Sequence, residues 1–314
     1  MIANNGSEKQ LPNEVRATFE ELQVNKHLRK AGIQKAAGFS CVYLFQLIFS
    51  LIFENKNWFR MLESQKAFDL PAKDAIYRFL NRSTHNWRRF LSLLSLDAIR
   101  RTSQLTNHSR PKALIVDDSG YRKDRSKKVE LLARCHDHSS QKNRYYKGFR
   151  MLTLGWSDGA TFLPVDFALL SSLKSQINGM FDHIDKRTSG YKRRSESLQK
   201  GPDVVDAMVK RALDAGVDAS YVLMDTWFTH QPLIKNLWKQ GIDVIGMVKP
   251  LKQQYRIHGK WVGLKQLYEM ADPTAGHKTI LRSIQTTQAN GVPVKIVFVR
   301  NRNKKSEWLA ILST

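Results

Sequence analysis

Two short apolar runs in this chain end in aspartate. Lys112-Ala-Leu-Ile-Val-Asp-Asp closes on Asp117 and Asp118, and Tyr221-Val-Leu-Met-Asp closes on Asp225. In an open α/β sheet, functional groups gather at the carboxyl ends of the strands. Carboxylates placed there suit a hard divalent cation, with water and phosphate oxygens completing its shell. Two such ions about 3.5–4 Å apart activate a water or a 3′-hydroxyl and stabilise the leaving oxygen. A single aspartate after a strand more often starts a turn. Two of them, separated by a helical stretch and each closing a strand, make a stronger case. Neighbouring side chains on a strand face opposite ways, so one of Asp117 and Asp118 is the ligand. Taken alone, the residues leave both open.

The elements that must position these acids are legible as patterns. Residues 1–110 read as helical, with Val15, Phe19 and Leu22 on one face. Cys41 to Phe53 reads as a buried core helix, and Asp69 to Ile76 as the start of a helix with Pro71 near its first turn. After Arg110-Pro111 the pattern changes to strands: Lys112–Asp118, then Phe149–Trp156 and Thr161–Leu170 joined by a Ser157-Asp-Gly-Ala turn. The polar stretch from Ser171 to Pro202 reads as an exposed loop. Val204–Ala215 reads as an amphipathic helix closed by Gly216, Pro232–Gln240 as another closed by Gly241, and Asp243–Val248 as a buried strand. From Lys252 onward strands alternate with turns at Asn290-Gly291 and Asn303-Lys-Lys. The organisation expected is a helical domain over 1–110, an α/β core over 111–250 and a β-rich part over 251–314.

Charge narrows the partner. The 314 residues carry 51 basic and 28 acidic side chains, a formal net charge of +23. That excess points to a polyanion, with nucleic acid first and an anionic membrane second. The membrane reading fails on Cys41–Phe53, which is too short to span and is interrupted by Gln46 and Ser50. The N-terminus lacks the basic and apolar regions of a signal peptide. Two cysteines, Cys41 and Cys135, give no disulfide framework, so a reducing, cytoplasmic home is expected.

Several basic groups are candidates for DNA phosphates. Arg122 and Lys123 open a basic loop. Lys142, Arg144, Lys147 and Arg150 interleave with aromatic residues in the manner of a stacking and phosphate surface. Lys192, Arg193 and Arg194 stand in the long polar stretch. For each, a solvated face is the competing reading, as it is for Lys73, Arg78, Arg82, Arg88 and Arg89 in the helical region. Cys135-His-Asp-His138 offers too few ligands for zinc and reads as a polar loop. Trp227 either stacks on a displaced base or packs beneath the site.

Ala113-Leu-Ile-Val-Asp-Asp-Ser-Gly-Tyr resembles the first-aspartate motif of the DDE transposases of bacterial insertion sequences. Tyr146-Lys-Gly-Phe-Arg-Met-Leu-Thr-Leu-Gly-Trp-Ser-Asp-Gly, Leu163-Pro-Val-Asp-Phe and Tyr221-Val-Leu-Met-Asp-Thr-Trp-Phe-Thr are similar to further motifs of that family. The resemblance runs from Lys112 to the end. It implies an RNase H-like mixed sheet with flanking helices, preceded by an all-helical N-terminal DNA-binding domain and interrupted by a β-rich insertion. It also implies Mg²⁺, or Mn²⁺ in its place, held by Asp117 and Asp225 for strand cleavage and transfer. An Asp-x-Ser alignment with Ser119 favours Asp117, while an Asp-Ser alignment favours Asp118.

The implied partners are transposon terminal inverted repeats and target DNA, in a homodimer associated with the nucleoid. The family's third acid stands in a Tyr-Arg-Glu-Lys signature that neither Glu269 nor Glu307 matches. The expectation is a truncated copy whose third acid lies beyond Thr314, with little or no transposition by this chain alone. The alternative function is a DNA-binding protein without catalysis that competes with a full-length transposase.

Overall fold

The computed structural model describes residues 13–63, 70–107, 109–137, 145–274, 278–304 and 306–314. The helical stretch resolves into α1 (Asn13–Glu21), α2 (Val24–Lys30), α3 (Cys41–Ser50), α4 (Trp58–Leu62), α5 (Lys73–Asn81) and α6 (Trp87–Leu105). Apolar residues recurring at helical spacing give these helices one buried stripe each. Phe19, Leu28, Leu44, Ile76, Phe79 and Phe90 form the resulting core, with Val15 and Leu22 packed against it. Helix α3 is capped by the Ser40 hydroxyl, which accepts from the Tyr43 N–H at 3.2 Å. It ends at Ser50, short of the expected Phe53, and leaves Ile52 and Phe53 exposed. Pro71 stands just before the Ala72 cap of α5, beside its first turn, and the helix itself begins at Lys73.

The strands begin with β1 (Ala113–Arg122), β2 (Ala133–His136), β3 (Tyr145–Ser157) and β4 (Phe162–Leu170). The polar stretch that follows is not all loop: it contains α7 (Ser189–Glu196). Then come α8 (Gly201–Asp214), β5 (Tyr221–Met224), α9 (Gln231–Lys239) and β6 (Asp243–Val248). The last part holds β7 (Gln254–Ile257), β8 (Lys260–Gly263), α10 (Leu264–Met270), β9 (Asp272–Pro273), β10 (Ile280–Gln288), β11 (Pro293–Arg300) and β12 (Trp308–Ser313).

Two compact units result, one of residues 1–101 with 179–196, the other of residues 102–178 with 197–314. Helix α7 belongs to the first. It has no buried residue and hence no apolar stripe to reveal it in the sequence. Polar ties hold it: Arg88 pairs with Glu196, and the Ser189 hydroxyl donates to the Ser83 and His85 carbonyls at 3.1 Å.

The second unit is built on one mixed sheet in the order β2-β3-β1-β5-β6-β12-β11-β10-β7-β8, with β4 also on β3 and β9 on β10. Strands β4, β3 and β1 run antiparallel to one another, while β1, β5 and β6 run parallel. This is the RNase H-like arrangement that the resemblance implied. Its parallel strands are joined through helices, since parallel neighbours need a crossover. Residues after 250 form no separate body: β12 pairs antiparallel with β6 and carries the same sheet onward. One face of the sheet is tightly packed. Leu114, Val116, Leu152, Leu154, Trp156, Val222 and Val244 are buried there, and the apolar stripe of α8 (Val204, Val205, Met208) is buried as well. Arg211 of α8 is anchored on this side to Asp166 of β4 at 2.8 Å.

Candidate active site

The register of the parallel strands determines which carboxylates meet. Ala113, Leu114 and Ile115 pair with Tyr221, Val222 and Leu223. Two residues beyond the last pair stand Asp117, still on β1, and Asp225, which follows the end of β5. Adjacent strands are about 4.8 Å apart, so the register brings the two acids to the same end of neighbouring strands. The Asp117 face of the sheet is the more open one. Ile115, Leu223 and Ile245 are only half-buried there, and Asp117 and Asp225 are exposed. Asp118 faces the other way, on the side of Leu114 and Val116, with its side chain 18% exposed.

Asp225 shapes its own turn. Its Oδ1 accepts from the backbone N–H of Trp227 at 2.9 Å, and from that of Phe228 at 3.4 Å. The Thr229 hydroxyl donates to its carbonyl at 2.6 Å. Thr229 is buried against β6, where Gly246 leaves room for it: a Cβ at 246 would come within 2.3 Å of the Thr229 hydroxyl oxygen. Asp118, in contrast, is engaged by Arg150. The Arg150 Nε donates to Asp118 Oδ2 at 2.9 Å and its Nη2 donates to the same oxygen. Arg150 was expected on DNA phosphate. Its place on β3 opposite Gly120 instead turns it onto Asp118, on the packed face.

The other basic candidates divide. Arg122 reaches Asp124 at 2.9 Å and Asp137 at 3.1 Å, and its guanidinium lies 5.3 Å from the Tyr146 ring centroid. The Arg122 hydrogen bond also holds the Asp124 carboxyl below its ordinary pKa, with the Lys147 N–H adding to it. Lys123 lies 4.7 Å over the Tyr121 ring, and its N–H donates to the Lys147 carbonyl at 2.6 Å. Arg122, Lys123 and Lys147 thus cluster at one end of the β1–β3 pair. Arg122 is five residues from Asp117, about 17 Å along the strand. Lys192, Arg193 and Arg194 sit on α7 in the helical unit. Lys142 and Arg144 lie outside the described residues, as does His138. Cys135, read as part of a polar loop, is buried in β2, where burial raises its thiol pKa. Beside it the Tyr146 phenol is pushed up to about 12, chiefly by burial. Among the described residues no group of three or more histidines, cysteines or acids is placed to hold a metal ion. No helix among them is long and apolar enough to cross a membrane.

Residues 60–299 match the family model described as DDE superfamily endonuclease. No curated protein matches significantly. Among solved structures the chain is similar to a piggyBac transposase synaptic complex with hairpin DNA, at 18% identity and a TM-score of 0.36, over 96% of this chain and 51% of that one. It is also similar to the Drosophila P element transposase strand transfer complex, at 13% identity and a TM-score of 0.31, over 85% and 57% of the two chains. The chain therefore spans little more than half the length of these transposases.

Proposed function

This chain belongs to the DDE superfamily endonuclease family, and we propose that it is a transposase acting on DNA ends through Asp117 and Asp225. The observation that supports the proposal is the β1–β5 register, which stops two residues short of each acid, together with the exposure of both side chains. Their oxygens fit a hard cation. Two carboxylates with water and phosphate oxygens are a common way to hold Mg²⁺, and Mn²⁺ accepts the same donors. When bound, the ion supplies polarisation of the scissile phosphate and activation of a water or 3′-hydroxyl.

The remaining work falls to the chain. Asp225 Oδ1 accepts from two backbone N–H groups, which hold the side chain in place and leave Oδ2 out of those bonds. Lys123 and Lys147, with Arg122, neutralise backbone phosphates of the bound duplex at the far end of β1, and Lys192, Arg193 and Arg194 do so from α7. In this reading the DNA is a transposon end and then a target, handled by a homodimer.

The test is cleavage of end-bearing DNA by the chain with Mg²⁺ or Mn²⁺, alongside filter binding of the same DNA. The little cleavage expected of this chain alone should require the metal, and Asp117→Asn and Asp225→Asn should each abolish it while DNA binding persists. A second reading is favoured by the absence of a three-acid cluster among the described residues: a DNA-binding protein without catalysis. Binding indifferent to metal and to both substitutions, with no cleavage, would select that reading.

A further inference from the structure

Asp118 has a use that the metal site does not explain. It sits on the packed face, one residue from Asp117, with Oδ1 closed off from solvent and without a hydrogen-bond partner among the described residues. A carboxylate in such a place is costly unless a cation answers it. Arg150 does so through two N–H groups on Oδ2. The same guanidinium lies 5.5 Å from the Trp227 ring centroid. The backbone N–H of Trp227, in turn, holds Asp225 Oδ1. A contact path therefore runs from Asp118 through Arg150 and Trp227 to the carboxylate of Asp225.

We propose that Asp118 and Arg150 are positioning residues, which brace Trp227 and so keep the Asp225 carboxylate in place near Asp117. This rests on the reading of Asp225 as a metal ligand. The path links three neighbouring strands: Asp118 is on β1, Arg150 on β3, and Trp227 follows β5. The turn after β5 is closed by its own hydrogen bonds and by buried Phe228 and Thr229, and the Arg150 contact adds a tie from β3 at the exposed Trp227 ring. Arginine suits the task because its planar group presents two N–H donors to one acceptor while lying over a ring.

The sign of one substitution separates bracing from simple electrostatics. A bystander guanidinium near the site repels a divalent cation, so removing it tightens metal binding. A brace acts oppositely, and its removal loosens binding. Arg150→Lys keeps the charge but loses the planar group, so electrostatics predicts no change there and bracing predicts weakening.

The experiment titrates Mn²⁺ into the DNA-free 314-residue chain and follows free Mn²⁺ by electron paramagnetic resonance. Thermal unfolding of each metal-free variant is recorded in parallel. Loss of an outer-shell partner commonly weakens metal binding roughly 10- to 100-fold. Arg150→Gln and Arg150→Lys should both fall in that range, and Trp227→Leu should weaken binding in the same direction. Trp227→Leu alters an exposed side chain, so it reports even if the Arg150 variants fold poorly. Trp227→Phe, which keeps a ring under the guanidinium, should restore most of the affinity. Arg150→Gln binding Mn²⁺ as tightly as the parent or tighter, or a Trp227→Leu protein with parent affinity, overturns the bracing role. If Asp225→Asn abolishes Mn²⁺ binding while these variants keep it, the metal reading stands and the brace alone is lost. If Asp225→Asn binds Mn²⁺ unchanged, both fall together.

Discussion

Asp117 and Asp118 are consecutive residues whose side chains face opposite sides of the sheet. Asp117 is exposed beside Asp225 on the open face, whereas Asp118 is paired with Arg150 on the packed one. Substituting them should therefore fail in different ways. Asp117→Asn keeps the fold and its melting temperature but lowers metal-dependent cleavage by roughly 100-fold or more, measured as initial rates at saturating DNA. Asp118→Asn weakens the tie to a half-buried guanidinium, so it lowers the melting temperature as well, read by calorimetry. Gly246 gives a third residue-scale prediction. A methyl at 246 meets the Thr229 hydroxyl, which holds the Asp225 carbonyl. Gly246→Ala should cost about 1–3 kcal/mol by denaturant unfolding, in the range of core overpacking. It should also weaken Mn²⁺ binding, because the Asp225 turn shifts with Thr229.

At the scale of elements, the strands that carry the acids were legible because each is an apolar run stopped by a carboxylate. Their register was not, since no local pattern says that Ile115 lies opposite Leu223. That is why sequence alone left Asp117 and Asp118 both open and set Arg150 among the phosphate contacts. Strand β2 escaped notice because only Ala133 and Cys135 point inward along its four residues. Helix α10 escaped for a similar reason, with Leu264 and Leu267 its buried residues. Helix α7 shows no apolar stripe at all, and its polar ties come from residues about a hundred positions away.

The helical unit carries a pH prediction. His85 is buried, its Nδ1 lies 3.0 Å from the Phe79 carbonyl oxygen, and burial lowers its pKa, with Arg82 and Lys35 acting in the same direction. His27 is also lowered, again chiefly by burial. A lowered histidine favours folding above the unfolded value near 6.5, and that contribution is lost as pH falls through the folded value. Helical circular dichroism under mild denaturant should therefore decline as pH drops below about 6.5, and His85→Asn should flatten the decline.

For the whole molecule, a net charge of +23 and one continuous sheet set the terms of DNA binding. Affinity should fall steeply with salt, and each lost phosphate contact should reduce the log–log slope by about 0.9. Lys123→Ala and Lys147→Ala should each show such a reduction, measured by filter binding over a salt series. The family and the α/β fold were legible from motif order and charge. The joining of the residues after 250 to the core through β6 and β12 was not, because antiparallel partners distant in sequence leave no local mark.

Bound iron reports whether Asp117 and Asp225 share one cation. Fe²⁺ loaded in place of Mg²⁺ and exposed to ascorbate and peroxide cuts the backbone beside its ligands. A shared cation should give two cuts, one near residue 117 and one near residue 225, both suppressed by excess Mg²⁺ and absent from Asp117→Asn and Asp225→Asn. Cuts near residues 135–138, or cuts at 117 and 225 that persist in those variants, would contradict it.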